Sequence, residues 1–229
     1  MIGIFDSGAG GYAFLRELRR LTKNADVILF CDKRNAPYGT KNEDELKLLV
    51  SRDIKILTSH GASAVLMACC TASTVYEGLT KAERKISTPI IFPTSKAAVL
   101  KSRSGKIGII ATERTTLSGA FPKSIKALSK SATATSFCAQ ELVNMIENGV
   151  TDQTINAENR EKIKNVLSAA LSSDIDTLIL GCTHFPHLKK TISSLFSGVE
   201  IIDSAREGAR SFLGSEALYG EGKTVLIEE

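Results

Sequence analysis

Two cysteines are candidates for acid–base chemistry, because each stands directly after an apolar run typical of a buried strand. Cys69 follows residues 64–68, and Cys182 follows residues 177–181. A thiol at the end of a strand is reachable at the loop edge, and nearby backbone N–H groups stabilise its thiolate. Such a group can remove or donate a proton. The alternative is that each is a small buried side chain, and the spacing alone leaves both interpretations open.

Two further residues could handle protons for these thiols. Asp6 ends the first apolar run of the chain, and His184 lies two positions after Cys182. A carboxylate and an imidazole can each hold or relay the proton of a thiol. A lone Asp or His in a loop more often caps a helix or anchors a hydrogen bond, but their company with the two cysteines favours a functional role. Cys31 and Cys138 are expected to be ordinary buried side chains.

A weak internal repeat relates the two ends of the chain. Residues 2–7 resemble residues 107–112, and the segment around Cys69 resembles the segment around Cys182 at a similar spacing. This pattern predicts two related α/β halves, each offering one cysteine from the end of a buried strand. The two thiols would then face each other across a cleft.

Apolar runs and helical patterns alternate along the chain, which predicts a mostly parallel sheet flanked by helices in each half. The predicted first lobe comprises residues 1–92 with 204–229, and the second comprises residues 93–203. The active site is expected in the cleft between the lobes. The expected elements include one helix over residues 73–85, a short strand over 89–92, and a late strand over 224–227 that returns to the first lobe.

Composition excludes several classes of protein. The 229 residues, 43% hydrophobic and 24% charged, suit a globular chain, and five scattered cysteines suit a reducing compartment. The amino terminus shows no signal peptide and no membrane segment, so a cytoplasmic protein without a membrane partner is expected. The net charge of +4 is spread over separate helices without interleaved aromatic residues, which argues against nucleic acid. A zinc site is not expected, since no Cys-x-x-Cys arm is present.

Several short motifs together resemble those of the glutamate racemases, in the cofactor-independent aspartate/glutamate racemase superfamily. They occur in that family's order and cover about residues 2 to 204. The segments that carry the resemblance are residues 6–11, 37–39, 68–73, 112–115, 142–143 with Glu147, 181–186 and 202–204.

The resemblance implies a mechanism and a set of site residues. Cys69 and Cys182 would act on opposite faces of the glutamate α-carbon, assisted by Asp6 and His184 respectively, with Glu147 supporting the histidine. The reaction would need neither pyridoxal phosphate nor metal, and would supply D-glutamate for peptidoglycan. A homodimer is also implied. The residues expected to bind substrate are Asp6, Ser7, Pro37, Tyr38, Gly39, Cys70, Thr71, Thr115, Thr183 and His184.

The chain departs from the family pattern at one position of the expected site. Cys70 stands where the family usually has an asparagine, and a thiol is a much poorer hydrogen-bonding group than a carboxamide. Racemisation of aspartate or another small acid is therefore an alternative, and so is a non-catalytic relative that only binds an acidic ligand. The carboxyl-terminal region also looks short, which predicts a reduced closing element in the first lobe.

Overall fold

The computed structural model describes residues 1–213 and 220–228. The chain divides into two compact units, Met1–Ile90 with Ala205–Glu229 and Ile91–Ser204. These limits lie within two residues of the lobes expected from the sequence. Part of the expected first lobe, residues 214–219 and 229, lies outside the described residues.

The first unit is built from parallel strands joined by helices. Asn42 caps helix α2, Glu43–Ser59, by accepting a hydrogen bond from the Glu45 N–H. The three acidic residues that follow interact favourably with the positive end of the helix dipole. Short 3-10 helices cover Lys33–Asn35, Tyr38–Thr40 and Tyr76–Gly78. The strands and helices are β1 Ile2–Asp6, α1 Gly10–Leu21, β2 Val27–Cys31, α2 Glu43–Ser59, β3 Ala64–Met67, α3 Cys70–Ser73, α4 Lys81–Ile86, β4 Ser87–Pro89, α12 Ser204–Arg210 and β9 Thr224–Glu228.

The described strands of the first unit form one parallel sheet in the order β4-β3-β1-β2-β9. The strand expected near residues 224–227 is therefore present, and it pairs with β2 at the edge of the sheet. β1 lies between β2 and β3, so the residues that follow these three strands share one edge. α2 packs on the three strands and buries Leu46, Val50, Ile54 and Leu57.

The second unit repeats the arrangement. Its described strands form a parallel sheet in the order β6-β5-β7-β8, with β5 beside β7 as β1 is beside β3. A 3-10 helix covers Phe185–Leu188. The elements are α5 Ile91–Lys101, β5 Lys106–Ala111, α6 Glu113–Ser118, α7 Ala120–Leu128, β6 Thr133–Cys138, α8 Gln140–Glu147, α9 Ala157–Val166, α10 Ser168–Leu171, β7 Thr177–Gly181, α11 Lys189–Leu195 and β8 Glu200–Asp203. The predicted class, two parallel sheets flanked by helices, is confirmed.

The single helix expected over residues 73–85 is wrong. The chain instead forms α3, a 3-10 turn and α4. The physical reason is a capping box, in which the Thr80 hydroxyl accepts from the Glu83 N–H and the Glu83 carboxylate accepts from the Thr80 N–H. This reciprocal pair starts a new helix at Lys81.

Two other expectations are corrected. The strand expected over residues 89–92 is β4, which ends at Pro89, and α5 already begins at Ile91. Pro93 lies in the first turn of α5, where a missing N–H costs no helical hydrogen bond. Cys138 is exposed rather than buried, because it ends β6 at the edge of its sheet.

None of the helices in residues 1–213 and 220–228 combines the length and the apolar character needed to cross a membrane.

Candidate active site

The first candidate thiol lies where β3 gives way to α3. Cys69 is the N-cap residue of α3, and its Sγ accepts from the Ala72 N–H at 3.5 Å. The Ser7 hydroxyl lies 3.6 Å from the same sulfur. The thiol is 5% exposed. The Ala72 N–H aimed at the sulfur favours an anionic form, which makes Cys69 a candidate for acid–base chemistry.

Asp6 is the last residue of β1, the strand between β2 and β3, and Ser7 follows it. The Asp6 carboxylate is buried and accepts from the Gly8 N–H at 2.9 Å, which holds the glycine turn before α1. Gly11 lets α1 approach closely, since a Cβ there would lie 3.1 Å from both Asp6 Cβ and Cys31 Sγ. Ser7, which sequence reasoning placed on the substrate, also lies beside the Cys69 sulfur.

The segment expected to bind substrate, Pro37 to Gly39, forms the start of the 3-10 helix Tyr38–Thr40, with Pro37 at its N-cap position. This helix packs against α3. Tyr38 is 1% exposed, and its hydroxyl lies 2.6 Å from Asp32 Oδ2 and 2.7 Å from Asp53 Oδ2. Burial, first of all, and then the two carboxyls raise the pKa of this phenol far above its usual range. The hydroxyl is thus engaged inside the unit, so contact with a ligand would fall to the backbone of the loop.

Cys70 and Thr71 are the first two residues of α3 and are both buried. They stand next to Cys69 in the chain, so this turn places two thiols and a hydroxyl in succession. Cys31 is also buried, and burial, together with the nearby Asp6 carboxylate, raises the pKa of its thiol to about 12. Cys31 therefore stays protonated at neutral pH, as expected for an inert side chain.

The second candidate thiol belongs to a chain of proton-handling groups. Cys182 directly follows β7, and its Sγ lies 3.5 Å from His184 Nδ1. The other ring nitrogen, Nε2, is in short hydrogen-bond contact with Glu147 Oε1 at the end of α8. Cys182 and His184 are buried, whereas the Glu147 side chain is 51% exposed. A thiol, an imidazole and a carboxylate are thus linked in series, an arrangement in which the ring can exchange a proton with the thiol.

Close packing of neighbouring strands fixes where Cys182 stands. A Cβ at Gly181 would lie 2.8 Å from the Ile110 carbonyl oxygen, a backbone atom of β5. Glycine at this position therefore lets β5 and β7 run together up to the point where the cysteine begins.

The remaining residues expected in the second unit surround the same end of its sheet. Thr183 and Thr115 are both buried. Thr112 follows β5 and caps α6, accepting from the Thr115 N–H at 3.3 Å and donating to the Thr115 hydroxyl at 2.9 Å. At the end of β8, Lys189 Nζ lies 3.2 Å from Asp203 Oδ2. In the described part of the chain, no three His, Cys, Asp or Glu side chains are grouped as metal ligands would be.

Sequence reasoning missed the buried carboxyl cluster around Tyr38. A signal for it was available, since Asp53 lies three residues after Val50 and four before Leu57 on the apolar face of α2. A carboxyl at a core position of an amphipathic helix requires a buried partner. Asp32, directly after β2, carried a similar signal, because residues that follow parallel strands line ligand sites.

Comparison with known proteins identifies the family. The profile of the Asp/Glu/hydantoin racemase family matches residues 2–212. The chain belongs to this family. Glutamate racemase from Desulforudis audaxviator is 36% identical to it over 212 residues, which cover 92% of this chain and 77% of the relative. The family expected from the sequence motifs is thereby confirmed.

Solved racemase structures share the fold. A glutamate racemase isoform from Bacillus anthracis superposes with a TM-score of 0.88 at 28% identity, covering 100% of this chain and 87% of the other. Glutamate racemase from Francisella tularensis, solved in complex with D-glutamate, gives a TM-score of 0.87 at 27% identity, covering 99% and 87%. Both superpositions therefore include nearly every residue of this chain.

Proposed function

We propose that this chain interconverts L-glutamate and D-glutamate by a two-thiol mechanism. The observation that carries the proposal is that the two sheets place a buried cysteine in equivalent positions. Cys69 comes after β3, the neighbour of β1, and Cys182 comes after β7, the neighbour of β5. Each of these thiols has its own hydrogen-bonding partners. The named relatives are glutamate racemases, which supports glutamate as the substrate.

The proposed reaction balances without a co-reactant. One cysteine, as thiolate, removes the α-proton from one face of the amino acid and becomes a thiol. The other, as thiol, donates its proton to the opposite face and becomes a thiolate. After one turnover the thiolate and the thiol have exchanged places. The enzyme is then in the protonation state that the reverse reaction, from the other enantiomer, requires. The developing carbanion has to be stabilised by preorganised donors in a site that excludes water.

His184 suits the second thiol in both states. With a proton on Nε2, the ring donates to the Glu147 carboxylate, and its Nδ1 accepts from the Cys182 thiol. Transfer of the Cys182 proton to Nδ1 gives a thiolate beside a doubly protonated ring, which donates to the sulfur while keeping its bond to Glu147. Glu147 thus orients the ring and stabilises its positive charge. At the first thiol, the Ala72 N–H donates to Cys69 Sγ, and the Ser7 hydroxyl, 3.6 Å away, can donate to the sulfur when it is a thiolate.

The substrate contacts belong to the proposal as well. The buried hydroxyls of Ser7, Thr71, Thr115 and Thr183 and the backbone of the Pro37–Gly39 loop are assigned to the carboxylates and amine of glutamate. A role in supplying D-glutamate for peptidoglycan, a cytoplasmic location and a homodimer rest on the family resemblance alone. The homodimer would be disproved if light scattering detected only the monomer.

The direct test is α-proton exchange in deuterium oxide. We expect the purified protein to incorporate deuterium at the α-carbon of L-glutamate and to form D-glutamate, followed by proton NMR and a chiral separation. Exchange is the sharper readout because it registers proton removal even when turnover is slow. L-aspartate, run in parallel, distinguishes the alternative substrate. Tight binding of glutamate with no exchange would contradict catalysis and favour a binding protein.

Cys70→Asn should strengthen substrate binding without changing the chemical step. An amide at this buried first position of α3 both donates and accepts hydrogen bonds, which a thiol does weakly. We expect a lower KM for glutamate at similar kcat, because a contact made equally in ground and transition states acts on KM. Steady-state kinetics measure the split, with Cys138→Ser as the control at an exposed thiol. An unchanged KM would show that position 70 does not touch the substrate.

A further inference from the structure

In the buried cluster around Tyr38, one hydroxyl contacts the oxygens of two carboxyl groups. The Tyr38 hydroxyl lies 2.6 Å from Asp32 Oδ2 and 2.7 Å from Asp53 Oδ2. Both carboxyls are 0% exposed, and the phenol is 1% exposed. A hydroxyl has one proton and can donate to only one of the two oxygens. The other contact is a hydrogen bond only if that carboxyl carries a proton and donates to the Tyr38 oxygen.

The other contacts place this proton on Asp53. Asp32 has donors for both of its oxygens, because Asn35 Nδ2 lies 2.9 Å and 3.0 Å from them and Arg52 Nη1 lies 3.4 Å from Oδ2. Asp53 Oδ1, by contrast, is buried and has no hydrogen-bond partner among the described residues. An uncompensated carboxylate is costly to bury, whereas the neutral acid is much less so.

The electrostatics around Asp53 agree with this assignment. Burial is the largest influence and raises the pKa of the Asp53 carboxyl to about 7. The charge of Asp32 adds to that shift. The positive charge of Arg52, its neighbour on α2, opposes the shift, and so does the hydrogen bond that Tyr38 can donate to Asp53 once this carboxyl is ionised. The proton therefore sits in a range where modest changes in pH remove it.

The cluster holds the loop that leads to the candidate site. Tyr38 is the side chain through which the loop of Pro37 and Gly39 is tied to α2 and to the end of β2. Its ring shares one buried apolar cluster with Cys69 and Ala72. The 3-10 helix that begins at Tyr38 packs on α3, the helix that Cys69 caps.

We propose that Asp53 is a positioning residue, which keeps a proton in the folded protein and, through Tyr38, holds the Pro37–Gly39 loop against α3. Loss of the proton turns Asp53 and Asp32 into two carboxylates that face the same hydroxyl, and their repulsion releases the loop. The consequence for KM rests on the proposed function, since it assumes that this loop contacts glutamate. The proton and its hold on the loop do not rest on it.

The first experiment reads the proton without any turnover. In ligand-free protein with ¹³C-labelled aspartate, we expect the carboxyl of Asp53 to titrate near neutral pH, and the amide resonance of Gly39 to shift with the same midpoint. In Asp53→Asn the Gly39 shift should disappear, and in Asp44→Asn it should remain. Asp44 is the matched control because it lies on the same helix with its side chain 95% exposed. An Asp53 carboxyl that titrates as an ordinary aspartate overturns the proposal.

The second experiment reads the consequence for the substrate. If only the protonated form holds the loop, KM for glutamate should rise by roughly tenfold for each pH unit above the midpoint, while kcat changes less. Asp53→Asn, whose amide can donate to Tyr38 at any pH, should remove this rise, and Asp44→Asn should keep it. Equal pH dependence of KM in Asp53→Asn and wild type overturns the role of Asp53 in positioning. A protein that shows the titration but never exchanges the α-proton disproves the racemase proposal instead.

Discussion

Cys69→Ser and Cys182→Ser should each abolish racemisation. A serine hydroxyl is far too weak an acid to form the anion that removes an α-proton near neutral pH, so one of the two proton transfers is lost. Loss of a positioned acid–base group costs about 10²- to 10⁴-fold, and we expect at least that decrease in the rate of D-glutamate formation. The fold should survive at Cys69, because serine is a preferred N-cap residue and keeps the bond from the Ala72 N–H.

Deuterium exchange separates this explanation from a general loss of structure. A single variant retains one thiol, which can still remove and return the proton on its own face. Each variant should therefore exchange the α-proton of at most one enantiomer, and the two variants should prefer opposite enantiomers. Cys138→Ser, at an exposed thiol outside the site, should behave like wild type. If Cys70→Ser were inactive while Cys69→Ser turned over, the base would have to be reassigned to Cys70.

Asp53 should make the folded protein lose stability as the pH rises toward neutrality. Its pKa is raised from an ordinary 3.8 to about 7, chiefly by burial. Between these values the folded protein holds a proton that the unfolded chain has released, so the stabilisation is complete below about pH 4 and is lost as pH rises through 7. Each pKa unit corresponds to about 1.4 kcal/mol, so the loss attributable to Asp53 is on the order of 4 kcal/mol.

Urea unfolding at a series of pH values measures this loss, with Asp53→Asn as the comparison. The variant should lack the decline between pH 4 and pH 7, so the difference in unfolding free energy between the two proteins should change steadily across that range. The slope of the unfolding free energy against pH is the quantity to compare. The asparagine amide has a second N–H that is buried without an acceptor, and this lowers the stability of the variant by the same amount at every pH. Asp44→Asn should reproduce the wild-type slope. Parallel curves for wild type and Asp53→Asn would mean that Asp53 ionises at the same pH in the folded protein as in the unfolded chain.

Local signals in the sequence were sufficient for most of the fold. Apolar runs marked β1, β2, β5 and β7 at their observed positions, because strands buried on both faces read as continuous apolar segments. The Asn42 cap and its acidic first turn located the start of α2. The boundaries around Thr80 and Pro89 were missed although capping and proline signals were present, because an apolar pattern continued through them.

The sequence also determined which residues could do the chemistry, since a thiol directly after a strand and a histidine two positions later are local features. The partners of those residues were decided by tertiary structure. Ser7 lies beside the Cys69 sulfur because β1 and β3 are neighbours in the sheet, a pairing between segments far apart in the chain. The reach of Glu147 to His184 likewise depends on how α8 packs against the segment after β7.

The proton on Asp53 is the clearest case of what only the tertiary structure decides. The sequence places Asp32, Tyr38 and Asp53 in unrelated settings. The first two stand in a polar loop, and Asp53 is a charged residue on the apolar face of a helix. Packing α2 on β2 removes all three from water and places one hydroxyl between two carboxyls. Protonation follows from desolvation and from the distances among groups on three separate segments, and neither quantity exists until the chain has folded.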